Sequence, residues 1–221
     1  MDVHQRGSIS AEDFRDGCAA LREAWAGTAT DSGALEWRTA PGISAGYLSL
    51  ERVLPLPAEH EDSASANGVG DMNTEVAPDE ETVVARPKGR CLIDYHIVHN
   101  AMYGCPVLLC RGRRLDGNLL NRQALLGVLP WRQVTSDSLS AETPEEPAHF
   151  LEPQEHPHLQ QPWFMLNPCM TVERMGLMLA GGGKQGSAAL RYMVAWLSLV
   201  GPVSGLCDAS ALRVLDSMAH D

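Results

Sequence analysis

The sequence lacks the patterns that mark a metal site, a secreted scaffold or a membrane segment. None of its six cysteines has a CxxC spacing, so neither a zinc pattern nor a disulfide framework is predicted. No apolar run is long enough for a membrane span, and the amino terminus has no signal-peptide core. We therefore expect a cytoplasmic protein with reduced thiols, without a metal, a cofactor or a membrane span.

The sequence is also poor in basic residues, with 17 lysines and arginines against 28 acidic residues and a formal charge of -11. This charge repels a phosphate backbone, so we expect no nucleic-acid partner and expect proteins instead. A length of 221 residues is enough for one substantial core. We predict a single domain over residues 1–221 with insertions.

Two segments have few of the residues that build a core. Residues 55–81 contain no lysine or arginine but eight carboxylates (Glu59, Glu61, Asp62, Asp71, Glu75, Asp79, Glu80 and Glu81). Such a segment cannot bury enough apolar surface to offset its ordering entropy, which predicts a disordered acidic insertion at 55–88. Residues 135–155 are again acidic and contain prolines, which predicts a second, mobile loop.

The remaining segments alternate between strand and helix patterns. Ser10 can cap an amphipathic helix, and strand patterns follow at 35–38, 46–54, 91–99, 105–111 and 161–166. Turns are predicted at 41–42 and 115–118, and Asn121 can cap a short helix that stops before Pro130. Residues 172–180 and 188–199 look helical, with an end at Gly201 and Pro202. The predicted fold is α+β, an antiparallel β-meander flanked by an N-terminal helix and C-terminal helices.

Cys169 is the candidate nucleophile. It follows the strand at 161–166 and comes directly after Pro168, which stiffens the chain and removes a backbone donor. A thiol at the end of a strand can attack a thioester and leave readily. The alternative is a buried core thiol, the commonest state of an unpaired cysteine.

Three other groups of residues have more than one interpretation each. His156 and His158, with His149 nearby, could activate Cys169 in a cysteine hydrolase or bind a metal, but solvated loop histidines are the simpler interpretation. The glycine-rich run at 181–186 lacks phosphate-loop spacing and fits a flexible link. The basic residues Arg111, Arg113 and Arg114 could dock an acidic partner or form a solvated strand end.

The sequence resembles the autophagy-related protein 10 family. The matching motifs are Glu-Trp-Arg at 36–38, Gly-Tyr at 46–47, Tyr-His-Ile-Val at 95–98, Tyr103, Pro-Val-Leu at 106–108, Leu-Asp-Gly at 115–117, Gln-Glu-His-Pro at 154–157, Gln-Pro at 161–162, Pro-Cys at 168–169, the run at 196–203 and Gly-Leu at 205–206. They occur in the family's order. The resemblance implies a ubiquitin-conjugating-enzyme-like fold and a ubiquitin-like protein transferase.

The resemblance also implies site residues and partners. The family's His-Pro-Cys signature places the catalytic cysteine at Cys169, next to Pro168. Asn167 stands where the family usually has histidine, and it could shape the loop or donate its amide to an oxyanion. The implied partners are the activating enzyme autophagy-related protein 7, the modifier autophagy-related protein 12 and the acceptor autophagy-related protein 5.

The partner-binding surface is expected along the central strands, at Tyr95, Tyr103, Arg111, Arg113 and Arg114. The substitution at Asn167 and the acidic insertion leave a second hypothesis open. In that hypothesis the protein is a binding module that keeps the fold without the activity.

Overall fold

The computed structural model describes residues 7–28, 33–39, 46–56, 89–131, 150–169, 171–180 and 187–220. In chain order the elements are α1 (Ala11–Ala26), β1 (Glu36–Thr39), β2 (Gly46–Pro55), β3 (Arg90–Asn100), β4 (Cys105–Arg114), α2 (Arg122–Val128), β5 (Leu151–Glu155), β6 (Pro162–Leu166), α3 (Thr171–Leu179), α4 (Ala188–Ser204) and α5 (Ala209–His220). The predicted α+β class is confirmed.

The strands form one antiparallel sheet in the order β1-β2-β3-β4-β6-β5. β1 to β4 are sequential neighbours, as expected of a meander. β6 then pairs with β4, and β5 lies at the edge. The strand that leads to Cys169 is therefore held on both sides.

One face of the sheet builds the main core. Because side chains alternate along a strand, Ile93, Tyr95 and Ile97 of β3 point to this face, and all three are almost fully buried. α1 and α4 pack together on the same side, with Leu21 and Trp196 in the cluster. Burial of each such side chain stabilises the folded state by roughly 1.5–3 kcal/mol relative to leaving it exposed to water.

The predicted helix caps are confirmed. The Ser10 side chain accepts a hydrogen bond from the amide of Asp13 at 3.0 Å, which satisfies an amide at the start of α1. Asn121 does the same for α2, accepting from the Ala124 amide at 2.8 Å. The turn predicted at 115–118 is present, with Gly117 at a φ of 91°. The turn predicted at 41–42 lies outside the described residues.

The predicted boundaries of both loops include residues that belong to strands. Pro55 is the last residue of β2, and Leu56 is buried and donates its amide to the carbonyl of Gly89. The end of the loop predicted at 135–155 forms β5, where Pro153 is tolerated because edge strands leave half of their backbone groups unpaired. Residues 57–88 of the first loop and 135–149 of the second lie outside the described residues.

The carboxyl-terminal helices also differ from the prediction. α4 continues past Gly201 and Pro202 to Ser204, and Gly205 ends it in the left-handed conformation with φ of 71°. α5 was not predicted from the sequence. Among the described residues, no helix combines the length and the apolar character needed to cross a membrane.

Candidate active site

Cys169 is the exposed member of six free cysteines, and the other five are buried. Burial raises the pKa of the Cys105 thiol to about 11 and those of Cys110 and Cys207 to about 12, because a low dielectric disfavours the thiolate. It raises the pKa of Cys18 and Cys91 as well. Thiolate chemistry with a macromolecule is therefore accessible at Cys169 and suppressed at the other five.

The backbone that leads to Cys169 is an extension of the sheet. β5 and β6 pair from Glu155 and Pro162 up to Leu151 and Leu166. The amide of Asn167 then donates to the carbonyl of Phe150 at 3.2 Å, one step beyond the ladder. Pro168 is buried and has a fixed φ. The exposed thiol is thus carried by a segment with little backbone freedom.

Cys169 itself lies in a turn closed by two hydrogen bonds. Its amide donates to Oδ1 of Asn167 at 2.8 Å, and the amide of Thr171 donates to the carbonyl of Pro168 at 2.8 Å. α3 begins at Thr171, two residues after the thiol. A helix start leaves amides without intrahelical acceptors, and such amides can donate to an oxyanion.

The Asn167 side chain bridges two elements. Its Oδ1 accepts from Cys169, and its Nδ2 donates to Oε1 of Glu152 in β5 at 3.2 Å. Of the two roles considered for Asn167, this geometry supports the loop-shaping role. The oxyanion role stays a prediction.

The interpretation of His156 as a solvated loop residue is wrong. His156 is completely buried, and its Nδ1 accepts the amides of His158 and Leu159 at 3.1 and 3.2 Å. Nδ1 is therefore unprotonated, and Nε2 carries the proton that it donates to Nδ1 of His96 at 2.8 Å. Both nitrogens of His156 are committed away from Cys169, which weakens the hydrolase hypothesis.

These histidines belong to a second cluster on the outer face of the sheet. His96 and His156 pack against Tyr47 and Trp163, next to a small apolar cluster that includes Leu109. Desolvation, together with neighbouring histidine and arginine charge, lowers the pKa of His96 to about 3 and that of His156 to about 4. Both imidazoles are neutral at neutral pH.

Metal ligation has no support in the part of the chain that the structure describes, where no group of three or more potential ligand side chains comes together. The direct contact between His96 and His156 uses the nitrogens that a shared metal would occupy. His149 and the glycine-rich run at 181–186 lie outside the described residues.

The residues expected to bind a partner do not form one surface. Tyr95 is completely buried and donates its hydroxyl to the carbonyl of Ser204 at 2.6 Å, so its assignment to a surface is wrong. Tyr103 is 37% exposed in the turn between β3 and β4. Arg111 lies six residues into β4, roughly 20 Å along the strand from the end that carries this turn.

The arginines of β4 take part in an ion-pair network. Arg111 pairs with Asp94 at 3.5 Å, donates to Gln161 at 2.9 Å and lies over the ring of Trp163. Arg113 pairs with Glu51 and Asp94. Arg114 is half-buried. The charge of this patch is largely balanced within the chain, which the sequence could not show.

Known proteins resemble this chain over most of its length. The family model described as autophagocytosis associated protein, active-site domain, matches residues 13–210. The Ubiquitin-like-conjugating enzyme ATG10 of Arabidopsis thaliana is 34% identical over 169 residues, covering 73% of this chain and 72% of that protein. The Homo sapiens protein of the same name is 35% identical over 113 residues, covering 51% of this chain and 48% of that protein.

The fold and these relatives define the class: the protein is a ubiquitin-like protein transferase. Within that class, the chain belongs to the autophagy-related protein 10 family of ubiquitin-like-conjugating enzymes.

Proposed function

We propose that Cys169 carries a ubiquitin-like modifier as a thioester. The expected modifier is autophagy-related protein 12, delivered by the activating enzyme autophagy-related protein 7. The expected acceptor is a lysine of autophagy-related protein 5, and the reaction takes place in the cytoplasm. These partners follow from the family resemblance, and the reactive residue is supported by its exposure.

The reaction consists of two acyl transfers. In the first, the thiolate of Cys169 attacks the carbonyl carbon of the modifier's terminal glycine, and the thiolate of the activating enzyme leaves. In the second, the acceptor's lysine amine attacks the same carbon, its proton passes to solvent, and the Cys169 thiolate leaves. The product is an isopeptide bond, and the enzyme returns to its starting state without a cofactor.

The observation that carries this proposal is the exposure of Cys169 while every other cysteine is buried. An activating enzyme and an acceptor are both proteins, so each must reach the sulfur from outside. The turn after β6 presents the sulfur on a backbone fixed by the sheet and by Pro168. This combination suits a reaction whose second substrate is another macromolecule.

The experiment is a loading assay with activating enzyme, ATP and modifier. Wild-type protein should give an adduct that a thiol reductant removes. Cys169→Ser should give an ester that resists the reductant, and Cys169→Ala should give no adduct. Cys105→Ala is the matched control, because it removes a buried thiol and should keep the adduct. A reductant-sensitive adduct on Cys169→Ala would refute the assignment.

The alternatives predict different outcomes in the same assay. A binding module without activity would give no adduct with wild-type protein. A cysteine hydrolase would cleave a small thioester and lose that activity on substitution of His156 or His158. The hydrogen bonds of His156 with His96, His158 and Leu159 occupy both of its ring nitrogens, which counts against the hydrolase.

A further inference from the structure

We propose that Glu152 is a positioning residue for the Cys169 turn, acting through the side chain of Asn167. This inference rests on the proposed function for its relevance to transfer. The geometry that supports it is independent of which modifier is bound.

Glu152 and Asn167 are brought together by the strand register. Glu152 of β5 lies opposite Met165 of β6, and Asn167 follows Met165 by two residues. Such diagonal neighbours on adjacent strands lie within reach of long side chains. The bond from Nδ2 of Asn167 to Oε1 of Glu152 is 3.2 Å long.

The carboxylate fixes the orientation of the amide. A carboxylate accepts hydrogen bonds but cannot donate them, so it selects the Nδ2 side of Asn167. With Nδ2 facing Glu152, Oδ1 faces the amide of Cys169 and accepts it at 2.8 Å. A 180° rotation of the Asn167 side-chain amide would place its Nδ2 group, a donor, against the backbone amide of Cys169, which is also a donor. Glu152 therefore sets the hydrogen bond that orients the nucleophile.

Reach and charge are separable at this position. Glu152→Gln removes the charge and keeps an oxygen acceptor at the same distance. The Cys169 amide, which donates to Oδ1 of Asn167, keeps Nδ2 of Asn167 turned toward that oxygen. Glu152→Asp keeps the charge and withdraws the acceptor by one methylene. Glu152→Ala removes both. Glu155→Ala is the matched control, since Glu155 is an exposed carboxylate at the opposite end of the same strand, paired with Pro162.

The first readout is hydrogen exchange of the Cys169 amide, measured by NMR at one pH and without a modifier. Losing a hydrogen bond of ordinary strength should accelerate exchange about fivefold in Glu152→Ala and Glu152→Asp. Glu152→Gln and Glu155→Ala should stay within about twofold of wild type. If Glu152→Ala perturbs the fold, the Asp and Gln variants still decide.

The second readout is single-turnover discharge of the loaded thioester onto an acceptor lysine. The rate constant should fall about fivefold in Glu152→Asp, with an unchanged KM for the acceptor and recovery in Glu152→Gln. Unchanged Cys169 exchange in Glu152→Asp would overturn the proposal, as would Glu152→Gln being the impaired variant. If wild-type protein forms no thioester, the proposed function fails while the exchange result still decides this inference.

Discussion

The two ends of β6 provide opposite environments for chemistry. At its amino-terminal end, His156 and His96 form a neutral pair sealed beneath aromatic rings. At its carboxyl-terminal end, Cys169 is exposed on a turn tied to β5 by Asn167. Cys169 and His156, which the sequence alone would allow as a catalytic pair, therefore have separate roles. The histidines stabilise the sheet, and the cysteine faces solvent.

The largest expected effect is a loss of stability at the histidine end of β6 that leaves the thiol end active. His156→Ala removes a buried ring, leaves Nδ1 of His96 without its donor and deprives two backbone amides of their acceptor. We expect a loss of about 3 kcal/mol in the free energy of unfolding, measured by urea denaturation. Adduct formation by the folded fraction should be unchanged. Loss of the adduct in a fully folded variant would contradict the separation.

A smaller effect is expected at the thiol end. Asn167→Ala removes the acceptor for the Cys169 amide and the link to Glu152. We expect about a tenfold loss in the discharge rate constant, with a free energy of unfolding within about 1 kcal/mol of wild type. Asn167→Asp is the matched variant, because it keeps the acceptor oxygen for Cys169. An unchanged rate in Asn167→Ala would remove Asn167 from both roles considered for it.

The histidine end should also respond to pH. The folded pKa values of about 3 for His96 and about 4 for His156 lie below the ordinary value of 6.5. Between these values the unfolded chain binds more protons, so stability is complete above pH 6.5 and falls as the pH drops toward 4. We expect the loss between pH 7.5 and 6.3 to be about 1 kcal/mol smaller in a His96→Gln, His156→Gln double variant. Equal pH dependence of the two proteins would contradict this.

The smallest effect concerns the arginines of β4. Arg113→Glu would place a carboxylate beside Glu51 and Asp94, and at this half-exposed site we expect a cost of about 1 kcal/mol in thermal unfolding. Arg114→Glu tests the partner surface, since it should weaken acceptor binding while thioester formation stays intact. If Arg113→Glu and Arg114→Glu weakened acceptor binding equally and neither lowered the stability, the ion pairs of Arg113 would contribute nothing to the stability of the protein.

The sequence predicted the elements whose signals are local. Ser10 and Asn121 cap their helices as expected, and the strands later seen as β3 and β4 were clear apolar runs. α5 also had a local signal that was missed: Asp208 caps its first amides, and Ala211, Leu215 and Ala219 bury one face at helical spacing. β5 was hidden because an acidic, proline-containing edge strand looks like a loop.

The orientation of the site residues was predicted less well. In β3, Ile93 and Ile97 alternate with Asp94 and His96, and this missed signal indicates that Tyr95 points into the main core and His96 away from it. The burial of His156 depends on Tyr47 and Trp163, which are distant in sequence. Cys169 was identified because the resemblance marked it. The contact between Glu152 and Asn167 needed the register of β5 and β6.

Cys169 alone is proposed to carry the modifier. The most direct measurement is mass spectrometry of wild-type protein after loading with activating enzyme, ATP and modifier, with and without reductant. We expect one modifier per chain, attached at Cys169, released by reductant in wild type and retained in Cys169→Ser. Attachment at a lysine of the enzyme, or at any cysteine other than Cys169, would contradict it.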